Sequence, residues 1–361
     1  MKTKILSIFF IFGALLLLGA GCIQFNAGGT AKADGGVFKS IDRGGTWAQK
    51  ASLASTGGGK SITGLNIKSI VMDPSDNQAL YALAAEGGVY FTYDGAESWR
   101  RLDALGGAGI NAFLIDQRNK CVLFSGSGNR AAKSIDCGRT WQAVYLDSRP
   151  QQVVTALAQN PSNGNIIYLG TSGGDLIRSA DSGASWTPIN IFGSRIARII
   201  FDPFNSGIIY VGTMGGGVWK SDNGGADWKN INEKMGQFSE NIKFVDIIPS
   251  RSEPGTYIHV SRYGLLKTVD GGENWKKINL LTPPGTTDIY SLAIDPKDGK
   301  IIYYSTGSTF YKSTDGGNKW ITKKLPGSRV AAALLIDKDA PAIIYMAALR
   351  VKEQSPGMFG F

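Results

Sequence analysis

Histidine is almost missing from this chain: His259 is the one copy in 361 residues. Cysteine is nearly as scarce, with Cys22, Cys121 and Cys137 in no clustered spacing. That shortage leaves little from which to build a metal site, so His259 is expected as a packed strand residue and no metal or cofactor is expected. No nucleophile motif and no nucleotide-binding loop is present. The segment Gly126-Ser127-Gly128-Asn129 has the glycines of a phosphate loop, but strand and turn patterns follow it, so a hairpin turn explains it better. Long apolar runs are also lacking after the first, Ile5 to Leu18, which is short for a bilayer span of about 20 residues.

That first run carries information of its own. Lys2 and Lys4 precede it, and Gly19, Ala20 and Gly21 follow it, which is the order of a bacterial export signal. Closing on Cys22, the arrangement resembles a lipoprotein signal, and the resemblance implies that Cys22 carries the lipid and becomes the mature N-terminus. Gly19 departs from the pattern, because such signals place Leu, Val or Ile three residues before the cysteine. The expected organisation is a signal at 1–21, a lipidated Cys22 with a tether to residue 34, a repeat domain at 35–350 and a tail at 351–361. The expected location is the cell envelope, outside the cytoplasm, with the lipid as membrane anchor. There Cys121 and Cys137 either form a disulfide or stand as two thiols. The formal charge is +9, of which Lys2 and Lys4 supply two. On an exported protein that balance favours an acidic protein, anionic polysaccharide or lipid headgroups as partner, and argues against nucleic acid.

A short motif ending in tryptophan recurs along the chain. The copies end at Trp47, Trp99, Trp141, Trp186, Trp228, Trp275 and Trp320, spaced 42 to 52 residues apart. Each reads Ser/Thr-x-Asp-x-Gly-x-x-Trp, with the acid at Asp42, Asp94, Asp136, Asp181, Asp270 and Asp315. Asn223 replaces the acid once, and Ala96 replaces the glycine once. The residue types suit a tight turn between two strands. The carboxylate accepts from turn amides, the glycine allows a left-handed backbone, and the tryptophan buries about 150–250 Å² against its sheet. These are fold staples, whose acceptors the turn itself consumes.

The period matches one four-stranded propeller blade. In one repeat, Ile196 to Phe201, Ile208 to Gly212, Val218 to Ser221 and Trp228 to Ile231 read as successive strands. The chain begins with a third and fourth strand, Gly36 to Ser40 and Thr46 to Lys50, and ends with a first and second, Val330 to Ile336 and Ala342 to Leu349. The expected fold is therefore all-β, a seven-bladed propeller whose N-terminal hairpin completes the last blade and removes the open sheet edges. A ring closed in this way is expected to be a monomer.

The repeat resembles the Asp-box of sialidases, sortilin-type receptors, xyloglucanases and a photosystem II assembly factor. As a single exported ring with arginines on one face, the chain resembles the last of these most. That resemblance implies a protein-binding or assembly scaffold. On this register the loops opposite the box turns receive Arg130, Arg149, Arg195, Arg262, Arg329 and Arg350, together with Lys68 and Arg101, and the first six are the expected binding residues. The alternative is a glycoside hydrolase or carbohydrate-binding module of the xyloglucanase or sialidase type. Its acids would come from Glu86, Asp103, Asp147, Asp175, Glu240 and Asp288, two of which would have to stand about 5–9.5 Å apart. No catalytic residue is singled out by its local sequence, and the Arg-Ile-Pro signature of sialidases is absent.

Overall fold

The computed structural model describes residues 33–54 and 60–351. The expected signal segment, Cys22, the tether up to residue 32 and the tail from residue 352 lie outside the described residues. Among the described residues, helix is confined to the 3-10 turns Asp103–Leu105 and Asn232–Met235. Everything else of regular structure is strand, arranged as seven four-stranded antiparallel sheets. Blades 1 to 6 follow in chain order and span residues 67–101, 110–146, 154–191, 196–230, 244–277 and 291–324. Blade 7 is composite: its first two strands are Val330–Ile336 and Ile344–Leu349, and its last two are Gly36–Ser40 and Ala48–Lys50. The join runs from Gly36 opposite Ala348 to Ser40 opposite Ile344.

The inner strand Ile196–Phe201 has the bounds its pattern predicts, but the outermost strand of that blade is only Lys229–Asn230. Each fourth strand starts after its tryptophan rather than on it. The indole lies over the blade at the turn, and the ladder begins once the chain has passed it. Three of these rings close back on their own turn: Trp141, Trp228 and Trp275 donate to the carbonyls of Gly138, Gly225 and Gly272 at 3.0–3.1 Å.

Each turn is held by a reciprocal pair of side chains. Ser40 donates its hydroxyl to Asp42 at 2.8 Å and accepts from the Gly44 amide at 2.8 Å. Asp42 in turn accepts from the Thr46 amide and hydroxyl, each at 2.8 Å. The same four bonds recur at Asp94, Asp136, Asp181 and Asp270. Where Asn223 replaces the acid, Asp227 supplies it: the Asn223 amide donates to Asp227 at 2.8 Å, so the fourth bond survives with donor and acceptor exchanged. Two consecutive left-handed residues make the turn, not one. Arg43, Cys137 and Ser182 have φ of 58–60° just ahead of the glycine, and Ala96 sits at 73° in the glycine's own place.

The first of these left-handed residues also ties the box to the neighbouring turn of its own blade. Its amide donates to a carbonyl of the first-to-second-strand turn, or in blade 1 to Gln78 at the start of the second strand, as from Gly224 to Gly207 at 2.8 Å and from Cys137 to Cys121 at 3.0 Å. In blade 2 a disulfide between Cys121 and Cys137 doubles this link.

Between blades the core is aromatic. Tyr81, Phe124, Tyr168, Tyr210, Tyr303 and Tyr345 occupy the same place on six of the seven second strands, Ile258 takes that place in blade 5 with Tyr257 one residue before it, and none of these is more than 1% exposed. Tyr168 and Tyr210 donate to box carbonyls of the next blade, Gly224 and Gly271, at 2.7 and 2.8 Å. The spacing of adjacent blades is set by glycine. A Cβ at Gly212 would lie 1.9 Å from the Phe244 ring, and one at Gly170 would lie 2.6 Å from Ile196.

Candidate functional site

Strand order dictates two faces. The box turns and the first-to-second-strand turns share one, and the second-to-third-strand and blade-to-blade connections share the other, here the loop face. Six of the seven inner strands carry a bulge where they start on the loop face. The extra residue is Lys68, Asn111, Thr155, Ala197, Val245 or Ala332. A bulge leaves one residue outside the ladder and re-aims its side chain. At these six points the loop-face end of the inner strand carries a residue that the regular ladder does not contain.

The six arginines divide into two groups. Arg149 is held within the loop face by two buried acids: its Nη2 lies 2.8 Å from both Asp147 and Asp175. Arg262 pairs with Asp288 and lies 3.9 Å from Glu240, which also takes Lys243 at 2.7 Å. Arg329 is only 7% exposed. It bonds Asp34 at 3.1 Å and donates to the carbonyls of Leu65 at 2.8 Å and Gly64 at 3.2 Å and to Asn66 at 2.7 Å. Arg329 thus belongs to the closure of the ring and does not join an exposed patch. Arg130, Arg195 and Arg350 have no side-chain hydrogen bond or ion pair among the described residues. Arg130 and Arg350 are exposed and Arg195 is half-buried.

The candidate acids of the loop face are committed except for Asp103, which is exposed and has no side-chain hydrogen bond or ion pair among the described residues. Glu86 accepts from the Asn66 amide and side chain. Asp147 and Asp175, sharing one guanidinium nitrogen at 2.8 Å each, have oxygens within about 6 Å of one another, close to the separation of a retaining glycosidase. The shared arginine works against that chemistry, because its hydrogen bonds hold the Asp147 carboxyl down at about 2. A general acid must instead keep its proton near neutral pH. Burial raises the pKa of Asp246, on the channel side of blade 5, against the opposing effect of Arg198 at 3.1 Å.

A cavity of about 340 Å³ opens at the same face. Met214, Phe244, Val245 and Ile289 give it an apolar wall, with the Arg262–Asp288 pair at its rim. Nothing in the repeat pattern marks it, because it forms where the loops of three blades meet.

His259 is fully buried in the strand Tyr257–Ser261, with its Nε2 2.8 Å from the Asn241 carbonyl. Burial lowers its pKa from 6.5 to about 4. The unfolded chain therefore binds one more proton than the native state between those values, and stability falls as pH drops from 6.5 towards 4, by ~3 kcal/mol in all. The box acids take over below that. The Thr46 amide, then the Ser40 and Thr46 hydroxyls, hold Asp42 at about 2, and the Thr140 and Ser185 hydroxyls, followed by their amides, do the same for Asp136 and Asp181. Stability present above the ordinary carboxylate range is lost as pH falls towards 2. Denaturant titrations at a series of pH values should find the upper limb missing in His259→Gln and the lower limb intact. An unaltered upper limb in that variant would contradict the assignment.

These features define the class: a single closed ring of seven four-stranded blades, with one face of box turns and one of irregular loops. No family model matches the chain, and no curated protein matches it in sequence. Its likeness is to solved structures. The GH74 xyloglucanase of Xanthomonas campestris aligns with a TM-score of 0.63 at 19% identity, over 79% of this chain and 51% of its own. The GH74 enzyme of Niastella koreensis gives 0.62 at 19%, over 83% and 53%. YCF48 bound to D1 peptide gives 0.61 at 15%, over 86% of this chain and 98% of its own. At such identities the likeness establishes the fold. The chain spans about half the length of the two GH74 enzymes and matches nearly the whole of YCF48.

Proposed function

We propose that this chain is an exported propeller, anchored to a membrane through a lipidated Cys22, that binds an acidic protein of the cell envelope and serves as a scaffold. The observation that carries the proposal is the asymmetry of charge on the loop face. Most of its candidate acids are consumed by internal bonds, whereas the side chains of Arg130, Arg195 and Arg350, on three different blades, have no partner among the described residues. Unpaired surface cations steer an acidic partner and suppress basic ones. The full-length likeness to YCF48, which is itself seen bound to a peptide, supports the same reading.

Asp34, where the tether meets the ring, is held on this face by Ser328 and Arg329. The twelve residues from 23 to 34 reach at most about 40 Å when extended. An anchor at Cys22 would therefore keep the propeller close to the membrane surface and its proteins. Cys22→Ala should release the protein from the membrane fraction without detergent, and persistent membrane association would remove the anchor from the proposal. For the binding role, the triple variant Arg130→Glu, Arg195→Glu, Arg350→Glu should lose capture of an acidic envelope partner while melting like the parent. Undiminished capture would refute it.

A further inference from the structure

Ser261, the last residue of the second strand of blade 5, is the least exposed residue lining the cavity where blades 4, 5 and 6 meet, at 3%. Its Oγ has no hydrogen-bond partner among the described residues. The same position on the two preceding blades is satisfied. Thr171 donates to Asp175 at 2.7 Å and Thr213 to the Gly217 carbonyl at 3.0 Å, each to a residue four further along. Blade 5 makes this connection with one residue fewer than blade 4: Ser261 lies opposite Gly264, whereas Thr213 lies opposite Gly217. The shorter turn takes away the partner that the hydroxyl has in blades 3 and 4. A buried hydroxyl left unpaired is costly, and a group entering through the cavity would supply the missing bond.

The rest of the lining limits what that group can be. Phe244 and Ile289 are buried apolar walls, and Met214 and Val245 are exposed at the mouth. The volume of about 340 Å³ is at the low end for a ligand pocket, roughly 300–1,000 Å³, and gives room for one ring rather than a length of chain. At the rim, Lys243 is answered by Glu240 and Arg262 by Asp288, so no net charge is left to select an ion. An aromatic ring with one N–H or O–H meets each condition. It has an apolar body, a small volume and a single neutral donor, and a serine hydroxyl accepts as readily as it donates.

We propose that this cavity seats one tyrosine or tryptophan side chain of the bound protein, with its O–H or N–H on Ser261 Oγ. The proposal rests on the scaffold reading and adds to it an anchor that the arginines do not provide. Tyrosine and tryptophan are among the side chains that carry most binding energy where a partner enters a desolvated pocket.

The test uses the complete chain and four probes, the N-acetyl amides of tyrosine, tryptophan, phenylalanine and alanine, titrated by calorimetry. Melting is followed alongside, on the parent, Ser261→Ala and Val245→Trp. The last variant fills the cavity from an exposed bulge residue outside the ladder. The parent should bind the tyrosine amide about fivefold more tightly than the phenylalanine amide, the scale of one net hydrogen bond. It should bind the tryptophan amide as well, and the alanine amide not at all. Ser261→Ala should bring the tyrosine and phenylalanine amides to within about twofold of each other and melt no lower than the parent, since its hydroxyl has no bond to lose. Val245→Trp should bind none of the amides while melting like the parent, and should capture an acidic envelope partner about tenfold more weakly. A parent indifferent to tyrosine against phenylalanine would overturn the proposal, as would a preference that survives in Ser261→Ala or amide binding that survives in Val245→Trp. Undiminished capture by Val245→Trp, with capture lost in the triple arginine variant, would overturn the anchor and leave the scaffold reading standing.

Discussion

Deleting residues 35–50 is expected to abolish the cooperative native state. The deletion removes the third and fourth strands of blade 7 and leaves Ile344–Leu349 as an unpaired edge. It also takes out Val37 and Phe38, 0% and 6% exposed. Full burial of such side chains stabilises by roughly 1.5–3 kcal/mol each, against a total native stability of about 5–15 kcal/mol. Trp47 goes with them, and with it the edge-to-face contact to Phe310 of blade 6 at 5.4 Å. The loss therefore reaches both neighbours of the composite blade. Size-exclusion and thermal melting of the truncated chain should report aggregation or the absence of a sharp transition. A soluble truncation melting like the parent would mean that the ring does not depend on its closure.

Arg329→Ala should cost about 3–5 kcal/mol, the scale for removing one partner of a buried ion pair. Its guanidinium joins three separate stretches of chain: Asp34 ahead of the first strand, the connection at Gly64 to Asn66, and its own position before Val330. Removing it leaves Asp34 without its charge partner and strips the carbonyls of Leu65 and Gly64 of a donor. Arg329→Lys should rescue little, because an ammonium cannot reproduce the planar fork that serves these acceptors together. Chemical denaturation measures the loss directly. A change within the few tenths of a kcal/mol usual for a surface arginine would contradict the placement.

The blade count and the closure were readable because the seven box tryptophans mark one fixed point per repeat. The strands Gly36–Ser40, Ile196–Phe201 and Val330–Ile336 could be bounded from them by β-branched runs and turn residues alone. The second-strand aromatic was present in the same register in six of the repeats, from Tyr81 to Tyr345, with Ile258 in its place in the fifth, and a search for a second repeated position would have found it. Its burial and its bonds to the next turns belong to packing between blades, which no single repeat displays. Arg149, Arg195, Arg262, Arg329 and Arg350 lie on connections and Arg130 opens a third strand, but the pairing of these arginines was hidden. Arg149 meets Asp175 and Arg329 meets Asp34 only after the ring brings distant loops together. The bulges at Lys68 and Asn111 were invisible for a related reason: a bulge shifts one residue against a partner strand, and the pattern of a lone strand does not record the shift.

The scaffold reading is tested most directly by the salt dependence of binding to an acidic envelope protein captured through the loop face. Exposed charges are screened beyond about 8 Å at physiological ionic strength. Affinity of the parent should therefore fall steadily as salt rises, and the variant reversed at Arg130, Arg195 and Arg350 should bind weakly at every salt concentration while melting normally. Binding indifferent to both salt and charge reversal would contradict the account. So would polysaccharide cleavage that disappears in Asp147→Asn or Asp175→Asn, since that result would make the loop face a hydrolase cleft.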